Sequence, residues 1–412
     1  MSNAILVVGG GFSGLTAAIE AAELGHDVYI VEKTPWLGGR VAQLNKYFPK
    51  LCPPSCGLEI QFQRIRKNPR IKVFTMAEVV ALDGEKGNYR ATVKIQPRRT
   101  PAHNVDFGLL ASAMDKKTDS EFDLGMGKRT ALYKAMPFAY PARYVLDKDS
   151  LSRADMARVA GQKQLDLEEQ PREVELNVGS IVVATGWQPY DVTNLSNLGA
   201  GSVKNCVSNM QLERLASAFG PTQGQIVRPT DQRAPHSVAF VQCAGSRDQN
   251  HLNYCSYVCC MATLKQCLYL SEQNPDMQIT VFYIDLRAPG RYNKVLEKVQ
   301  SLPNVHFIKG KVANAEQIEG DRVRITAEDA VRGEKLTLDY DLVVLATGMQ
   351  PSLATQKSLP LPIRLDGDGF VTNGEEAGIF AAGCAQMPLD VTRSAQSGTA
   401  AALKAVQTVK GR

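Results

Sequence analysis

The stretch Gly9-Gly10-Gly11-Phe12-Ser13-Gly14 decides the fold through what stands on either side of it. Ile5–Val8 precedes it, an apolar run with the length of a short buried strand. Residues 15–24 follow, rich in alanine and leucine, and Gly25 ends them as it would end a helix. The glycines fit G-x-G-x-x-G. Gly9 makes the turn tight, Gly11 lets the backbone approach a pyrophosphate, and Gly14 lets helix and strand pack closely. A helix starting there offers free N–H groups and the positive end of its dipole to phosphate. A second strand at 27–31 closes on Glu32, placed to take a ribose 2′-hydroxyl. This βαβ opening predicts a dinucleotide-binding domain; the alternative is a glycine turn with no ligand.

Composition narrows the rest. The chain has 412 residues, 44% hydrophobic and 22% charged, which excludes disordered, collagen-like and coiled-coil chains and suggests two or three domains. A net charge of +5 is too mild to suggest nucleic-acid binding. No apolar run reaches the ~20 residues that span a bilayer. The N-terminus enters the first strand without a basic leader or cleavage site, so a cytoplasmic setting is expected, where thiols stay reduced. Nine cysteines, odd in number and clustered, then point to metal or redox work rather than a disulfide frame.

Further along, buried-strand runs end in tight turns at Ala184-Thr185-Gly186 and Ala346-Thr347-Gly348. Gly38-Gly39-Arg40 follows Glu32, and Ile379-Phe380-Ala381-Ala382-Gly383 precedes a helix of small residues. Residues 96–170 are polar and weakly periodic, and read as an insertion rather than a core element. A second βαβ-like series begins at 236–242, but its first strand runs into Cys243-Ala244-Gly245-Ser246-Arg247-Asp248. One glycine there cannot easily cradle a pyrophosphate. Cys255-Ser256-Tyr257-Val258-Cys259-Cys260 comes next. Cys243, Cys255, Cys259 and Cys260 supply one thiolate for each iron of a [4Fe–4S] cluster. The adjacent Cys259-Cys260 pair suits one tetrahedral zinc poorly, and the C-x₂-C knuckle is missing. Zinc and uncoordinated core cysteines remain the alternatives. Asp285, with Arg287 and Arg291 after it, stands where a ribose-binding acid of an NAD(P)H site could lie.

Two further groups are ambiguous. Cys52-Pro53-Pro54-Ser55-Cys56 has C-x₃-C spacing, consistent with a redox pair, with structural or surface cysteines, or with ligands of a second metal; the prolines argue for a loop. Lys46, Lys50, Arg64, Arg66, Lys67 and Arg70 form either a solvated face or a docking patch for an acidic carrier. His251, between the cluster cysteines, is either a surface residue or a tuner of the cluster.

Together the first fingerprint, Gly38-Gly39-Arg40, the two Ala-Thr-Gly turns and the last glycine stretch resemble flavoproteins of the thioredoxin-reductase and glutathione-reductase class. That resemblance implies an α/β fold of two Rossmann-like, three-layer ββα dinucleotide-binding domains, with an insertion in the FAD domain. It implies FAD held by Gly9, Gly11, Phe12, Ser13, Gly14, Glu32, Lys33, Gly39, Arg40, Val79, Ala184, Thr185, Gly186, Gly383 and Cys384. The class has Asp where this chain has Cys384, and a thiol is a poor substitute for a carboxylate acceptor. Cys52 and Cys56 fall roughly where disulfide reductases keep a dithiol beside the flavin.

The string C-A-G-S-R-D…Y-C-S-Y-V-C-C, with GGRVAQL at 38–44 and AGCAQ at 382–386, closely resembles the family of heterodisulfide reductase A subunits. It implies a [4Fe–4S] cluster on Cys243, Cys255, Cys259 and Cys260, inserted where NAD(P)H would otherwise bind. Residues 121–129 and 137–141 resemble the family's segment beside a ferredoxin-like insert, yet residues 96–170 hold no cysteine. In this the chain resembles the short A-like subunit of the sulfur-oxidising heterodisulfide-reductase-like complex. The implied role is electron transfer in cytoplasmic sulfur oxidation, with B-like and C-like subunits, a lipoate-binding protein or another carrier, and a homodimeric state. The alternatives are an NAD(P)H-dependent flavin disulfide reductase, the A subunit of methanogenic CoB–CoM heterodisulfide reductase, and a structural FAD-binding scaffold. The implied domains are FAD-binding at 1–95, 175–200 and 346–412, a cysteine-free insert remnant at 96–174, and a cluster-bearing NAD-like domain at 201–345.

Overall fold

The computed structural model describes residues 2–199, 201–355, 359–372, 374 and 376–411. The chain divides into two units, residues 1–187 with 351–412, and residues 188–350. The division falls at 187 and 350, against the 200 and 345 expected from the sequence.

The first unit is built on a parallel sheet in the order Ile379–Ala381, Ser180–Val183, Ile5–Val8, Val28–Glu32, Ile71–Thr75. Ile5 pairs with Val28 on one side and Ser180 on the other. The central strand is buried along its whole length, which is why it reads as an unbroken apolar run. Helix α1 (Phe12–Glu23) and the C-terminal helix Val391–Val409 pack together and against this sheet. The other face is covered by an antiparallel sheet of Ala77–Glu85, Asn88–Ile95 and Arg172–Val178. Leu6, Val8, Val93 and Val178 fill the space between the sheets. These are the three layers expected.

The insertion differs from its expectation. Phe107, Leu132, Leu146 and Val159 form a small core of their own. Phe122, Met136 and Ala139 join the main core of the unit. Phe122 meets Trp36 edge-on at 5.3 Å, Tyr140 stacks on Phe62 at 5.4 Å, and the Leu37 N–H donates to the Tyr140 carbonyl at 2.8 Å. Its short elements carry too little periodicity to signal this burial.

The second unit repeats the plan. Its parallel sheet runs Cys206–Ser208, Leu342–Thr347, Ser237–Ala244, Gln278–Tyr283, Val305–Lys309. A second sheet of Val312–Gln317, Val323–Asp329 and Glu334–Tyr340 covers one face. Helix Asn209–Ala216 and helix α3 (Cys259–Gln273) lie on the other. A buried ion pair, Lys265 Nζ to Glu213 Oε1 at 3.1 Å, ties the two helices, and Gln266 donates to the same oxygen at 2.7 Å. The helix that begins with Cys259 and Cys260 is thereby anchored. Removing one partner of such a pair strands a buried charge.

Asp155 organises the insertion. Its buried carboxylate accepts the N–H groups of Asp115 at 2.9 Å, Lys116 at 3.2 Å and Ser152 at 3.3 Å, and closes a capping box with Ser152. Burial opposes its ionisation, but these hydrogen bonds win and hold the carboxyl at about 2. Because the folded value is depressed, its stabilisation is complete above the ordinary value of 3.8 and drains away as pH falls toward 2. Asp155→Ala should cost about 1–3 kcal/mol at neutral pH. Limited proteolysis should then cut first within residues 96–170, and wild type and variant should converge in stability near the bottom of that acid window.

Candidate functional site

The first unit contains a half-open cavity of about 820 Å³ at the N-terminus of α1. All the residues expected at a flavin line it except Gly14 and Gly383. Those two stand behind the wall. A Cβ on Gly14 would run into the Gly9 carbonyl oxygen, and one on Gly383 into the Ser13 hydroxyl. Gly9 has φ +109°, and a Cβ there would strike the Ala184 carbonyl oxygen. Around Gly11 the space is open, with nothing nearer than Gly39 Cα at 3.9 Å from where a Cβ would stand. The backbone at Gly11 is therefore bare on the cavity side.

Glu32 is buried, and both oxygens are engaged. Oε2 accepts the Gly10 N–H at 2.6 Å; Oε1 accepts the Thr34 N–H at 2.7 Å and its hydroxyl at 2.8 Å. Burial pushes its carboxyl upward, against the pull of the Thr34 and Gly10 bonds. Arg40 donates to the Trp187 carbonyl at 3.2 Å and to Gln43 Oε1 at 3.0 Å, placing a cation on the wall. Thr185 Oγ1 is buried on the same wall with no hydrogen-bond partner among the described residues. Cys384 also lines the cavity; its sulfur lies 3.4 Å from the Leu389 carbonyl, and burial pushes the thiol up. Trp36, Gln43, Glu121, Leu353 and Leu389 line it too. Gln43 belongs to the GGRVAQL string and Glu121 opens the segment 121–129. No motif marks Trp36, Leu353 or Leu389, which reach the cavity from a loop and from the returning C-terminal segment. A bare glycine turn, a buried acid, a cation and an orphaned hydroxyl suit the phosphates and hydroxyls of a dinucleotide.

In the second unit Cys243 lies near the end of the strand Ser237–Ala244, Cys255 in the loop after it, and Cys259 and Cys260 open α3. Cys243 and Cys260 both hydrogen-bond to Cys259. The bond from Cys259 and the neighbouring Arg247 hold the Cys243 thiol down to about 7. Cys260 is lowered by Cys259 and by the Arg287 N–H, whereas Cys259 itself is pushed well up by its two thiol neighbours. The Tyr257 N–H donates to Cys255 Sγ at 3.4 Å. Arg247 and Arg287 share Asp285, at 2.6 and 3.3 Å, and Arg287 also acts on Cys255 and Cys260. Among the described residues, no three or more His, Cys, Asp or Glu side chains gather about a single ion position. A cube-shaped cluster instead spreads its ligands over four irons. Four thiols flanked by two guanidinium groups suit such a group.

The features an NAD(P)H site would need are taken up here. A Cβ on Gly245 would run into the Tyr190 ring, so that ring covers the one glycine left in the turn. His251 Nδ1 pairs with the Tyr190 hydroxyl at 2.9 Å rather than with a thiol. Asp285, the expected ribose acid, is held by the two arginines.

Cys52 is half-buried and Cys56 exposed. The prolines do not leave Cys56 in a loop: α2 (Pro54–Lys67) starts at Pro54, and Cys56 stands in its first turn. Proline tolerates that position because its missing N–H would have no helical partner there. In the expected basic patch, Arg64 is paired with Glu23 at 2.8 Å and Arg70 with Asp27 at 3.2 Å, which neutralises part of it.

Residues 4–51 match the family model for FAD dependent oxidoreductases. One of two iron-sulfur A subunits of CoB–CoM heterodisulfide reductase in Methanopyrus kandleri is 37% identical, over 97% of this chain and 63% of its own length. The A subunit of the H(2):CoB-CoM heterodisulfide,ferredoxin reductase of Methanothermobacter thermautotrophicus is 32% identical over 98% of this chain and 64% of its own. An Archaeoglobus profundus protein, itself named for its likeness to the heterodisulfide reductase A subunit, is 31% identical over 98% of this chain and 66% of its own length. The chain thus spans about two thirds of these relatives or slightly less. Among solved structures, T. acidophilum thioredoxin reductase superposes with a TM-score of 0.53 at 13% identity, covering 100% of this chain and 99% of that one. Lactococcus lactis thioredoxin reductase does so with 0.54 at 12%, covering both chains fully. With this likeness along nearly its entire length, and on a thioredoxin-reductase-like fold, the chain belongs to the family of heterodisulfide reductase A subunits.

Proposed function

We propose that this chain is an FAD- and [4Fe–4S]-containing electron-transfer component of a heterodisulfide-reductase-like assembly. One observation carries the reading: where the second unit would hold a pyridine nucleotide, Tyr190 covers Gly245, and four thiols stand beside two arginines. When bound, FAD supplies electrons in pairs or singly and the cluster carries them one at a time. The protein's residues divide the remaining work. Gly9 and Gly11 keep the pyrophosphate's approach free of side chains, and the N-terminus of α1 offers it N–H donors. Glu32 accepts ribose hydroxyls with its remaining lone pairs, and Thr185 and Arg40 supply a hydroxyl and a cation. The neutral Cys384 thiol packs at the wall rather than acting as a charged acceptor. Cys243, Cys255, Cys259 and Cys260 ligate the cluster. Arg247 and Arg287, braced on Asp285, offset the thiolate charge and so favour the more negative, reduced cluster.

Two assemblies suit this chain. The cysteine-free segment 96–170 favours a short A-like component in cytoplasmic sulfane-sulfur oxidation, beside B-like and C-like subunits and a lipoate-binding protein, as a homodimer. The relatives' names favour CoB–CoM heterodisulfide reduction. Among the described residues no helix is long and apolar enough to cross a membrane, so neither reading gains a spanning anchor there.

Anaerobically purified protein should show a flavin spectrum and, on reduction, the electron-paramagnetic-resonance signal of one [4Fe–4S] cluster. Serine at 243, 255, 259 or 260 should lower iron content while leaving the flavin in place. A flavoprotein with no reducible iron–sulfur signal would refute the proposal, and rapid bleaching of the flavin by NADH or NADPH would restore the nicotinamide-dependent rival. Arg247→Met and Arg287→Met should each make the cluster harder to reduce, by about tenfold in the reduction equilibrium or ~59 mV for one electron. Lysine at either position should retain most of the wild-type potential. Reconstitution with candidate partner proteins should yield electron transfer from a sulfane donor under the first reading and to CoB–CoM heterodisulfide under the second.

A further inference from the structure

Apart from the two sites above, one group of reactive side chains is built rather than incidental. The Tyr47 N–H donates to the Cys52 carbonyl at 3.1 Å, closing residues 47–52 into a bridged loop. Pro53 and Pro54 then lead directly into α2, so that Cys56 in its first turn lies against Cys52. Both the Cys56 thiol and the Tyr47 hydroxyl are hydrogen-bonded to the Cys52 sulfur. The Tyr47 oxygen is itself fixed by the Gly57 N–H, and any Cβ at Gly57 would collide with it. Burial and the two neighbouring sulfurs push the Tyr47 phenol up, so at neutral pH it is a donor. By contrast Cys206, Cys267 and Cys384 sit singly, and burial pushes each of their thiols up.

We propose that Cys52 and Cys56, with Tyr47, form a thiol–disulfide exchange site that reduces small, accessible disulfides and stores the oxidation as an internal disulfide. The inference is independent of the cluster reading, since it uses neither cofactor. Cys52, which receives both hydrogen bonds, gives up its proton to solvent and attacks one sulfur of R–S–S–R. A Cys52–S–S–R bond forms, the R–S–S–R bond breaks, and the departing thiolate takes up a proton. Cys56 then loses its proton and attacks the Cys52 sulfur. The Cys52–Cys56 bond forms, the mixed disulfide breaks, and a second thiol leaves. Two protein thiols are oxidised, and one external disulfide is reduced to two thiols. The exposed Cys56 is the resolving group, and the Tyr47 hydroxyl steadies charge on Cys52.

The full-length protein, equilibrated anaerobically in glutathione buffers of graded redox poise, is alkylated and mapped by mass spectrometry. The expected result is joint, reversible protection of Cys52 and Cys56 as the buffer becomes more oxidising. Cys56→Ser should trap glutathione on Cys52, whereas Cys52→Ser should retain no adduct at 56. Tyr47→Phe should slow formation of the internal disulfide roughly tenfold. The proposal falls if both cysteines stay alkylated at every poise, or if the adduct in Cys56→Ser lies elsewhere. An unchanged rate in Tyr47→Phe removes Tyr47 from it.

Discussion

Backbone meets backbone at Gly9, and the architecture of the first unit follows from that contact. The Ala184 carbonyl occupies the place a side chain on Gly9 would need, and the Gly9 carbonyl occupies the place one on Gly14 would need. At Gly398 the C-terminal helix comes against the Ser13 carbonyl in the same way. Two strands, α1 and the C-terminal helix are thus drawn to a spacing that no Cβ permits. The first N–H groups of α1 then face a cavity instead of another side chain. A helix N-terminus exposed to a cavity invites an anion, and Glu32 beside it is free to take hydroxyls because its N–H bonds already hold it in place.

In the second unit the same strand-turn-helix plan has a different outcome. Without a glycine-rich turn, Tyr190 settles over Gly245 and the loop bends away through cysteines. Thiols this close cannot all ionise without compensation, and their opposed shifts reflect that: Cys243 and Cys260 move down while Cys259 moves up. Arg247 and Arg287 supply positive charge, and Asp285, paired with both, holds their guanidiniums beside the thiols. An acid that would read a ribose in a nicotinamide domain becomes an electrostatic brace.

The insertion shows where sequence patterns mislead. Its strands are two residues long and its helices short, so no periodic signal accumulates. Burial is achieved instead by single anchors, such as Phe122 against Trp36 and Tyr140 against Phe62. Through Glu121 the insertion reaches the cavity wall.

Local chemistry alone determined the βαβ opening, the acid at Glu32 and the set of four cysteines. Each depends on residue type at short range: glycine where a side chain cannot fit, a carboxylate at a strand end, thiols at close spacing. Folding decided the rest. Residues far apart in the chain, such as Thr185, Leu353 and Leu389, reach one cavity only because a parallel sheet brings strand ends together. Tyr190 over Gly245, and Arg247 with Arg287 on Asp285, are likewise contacts made through space. Hydrogen bonds and charges act over a few ångströms whatever the sequence separation, and only the packed chain sets those distances.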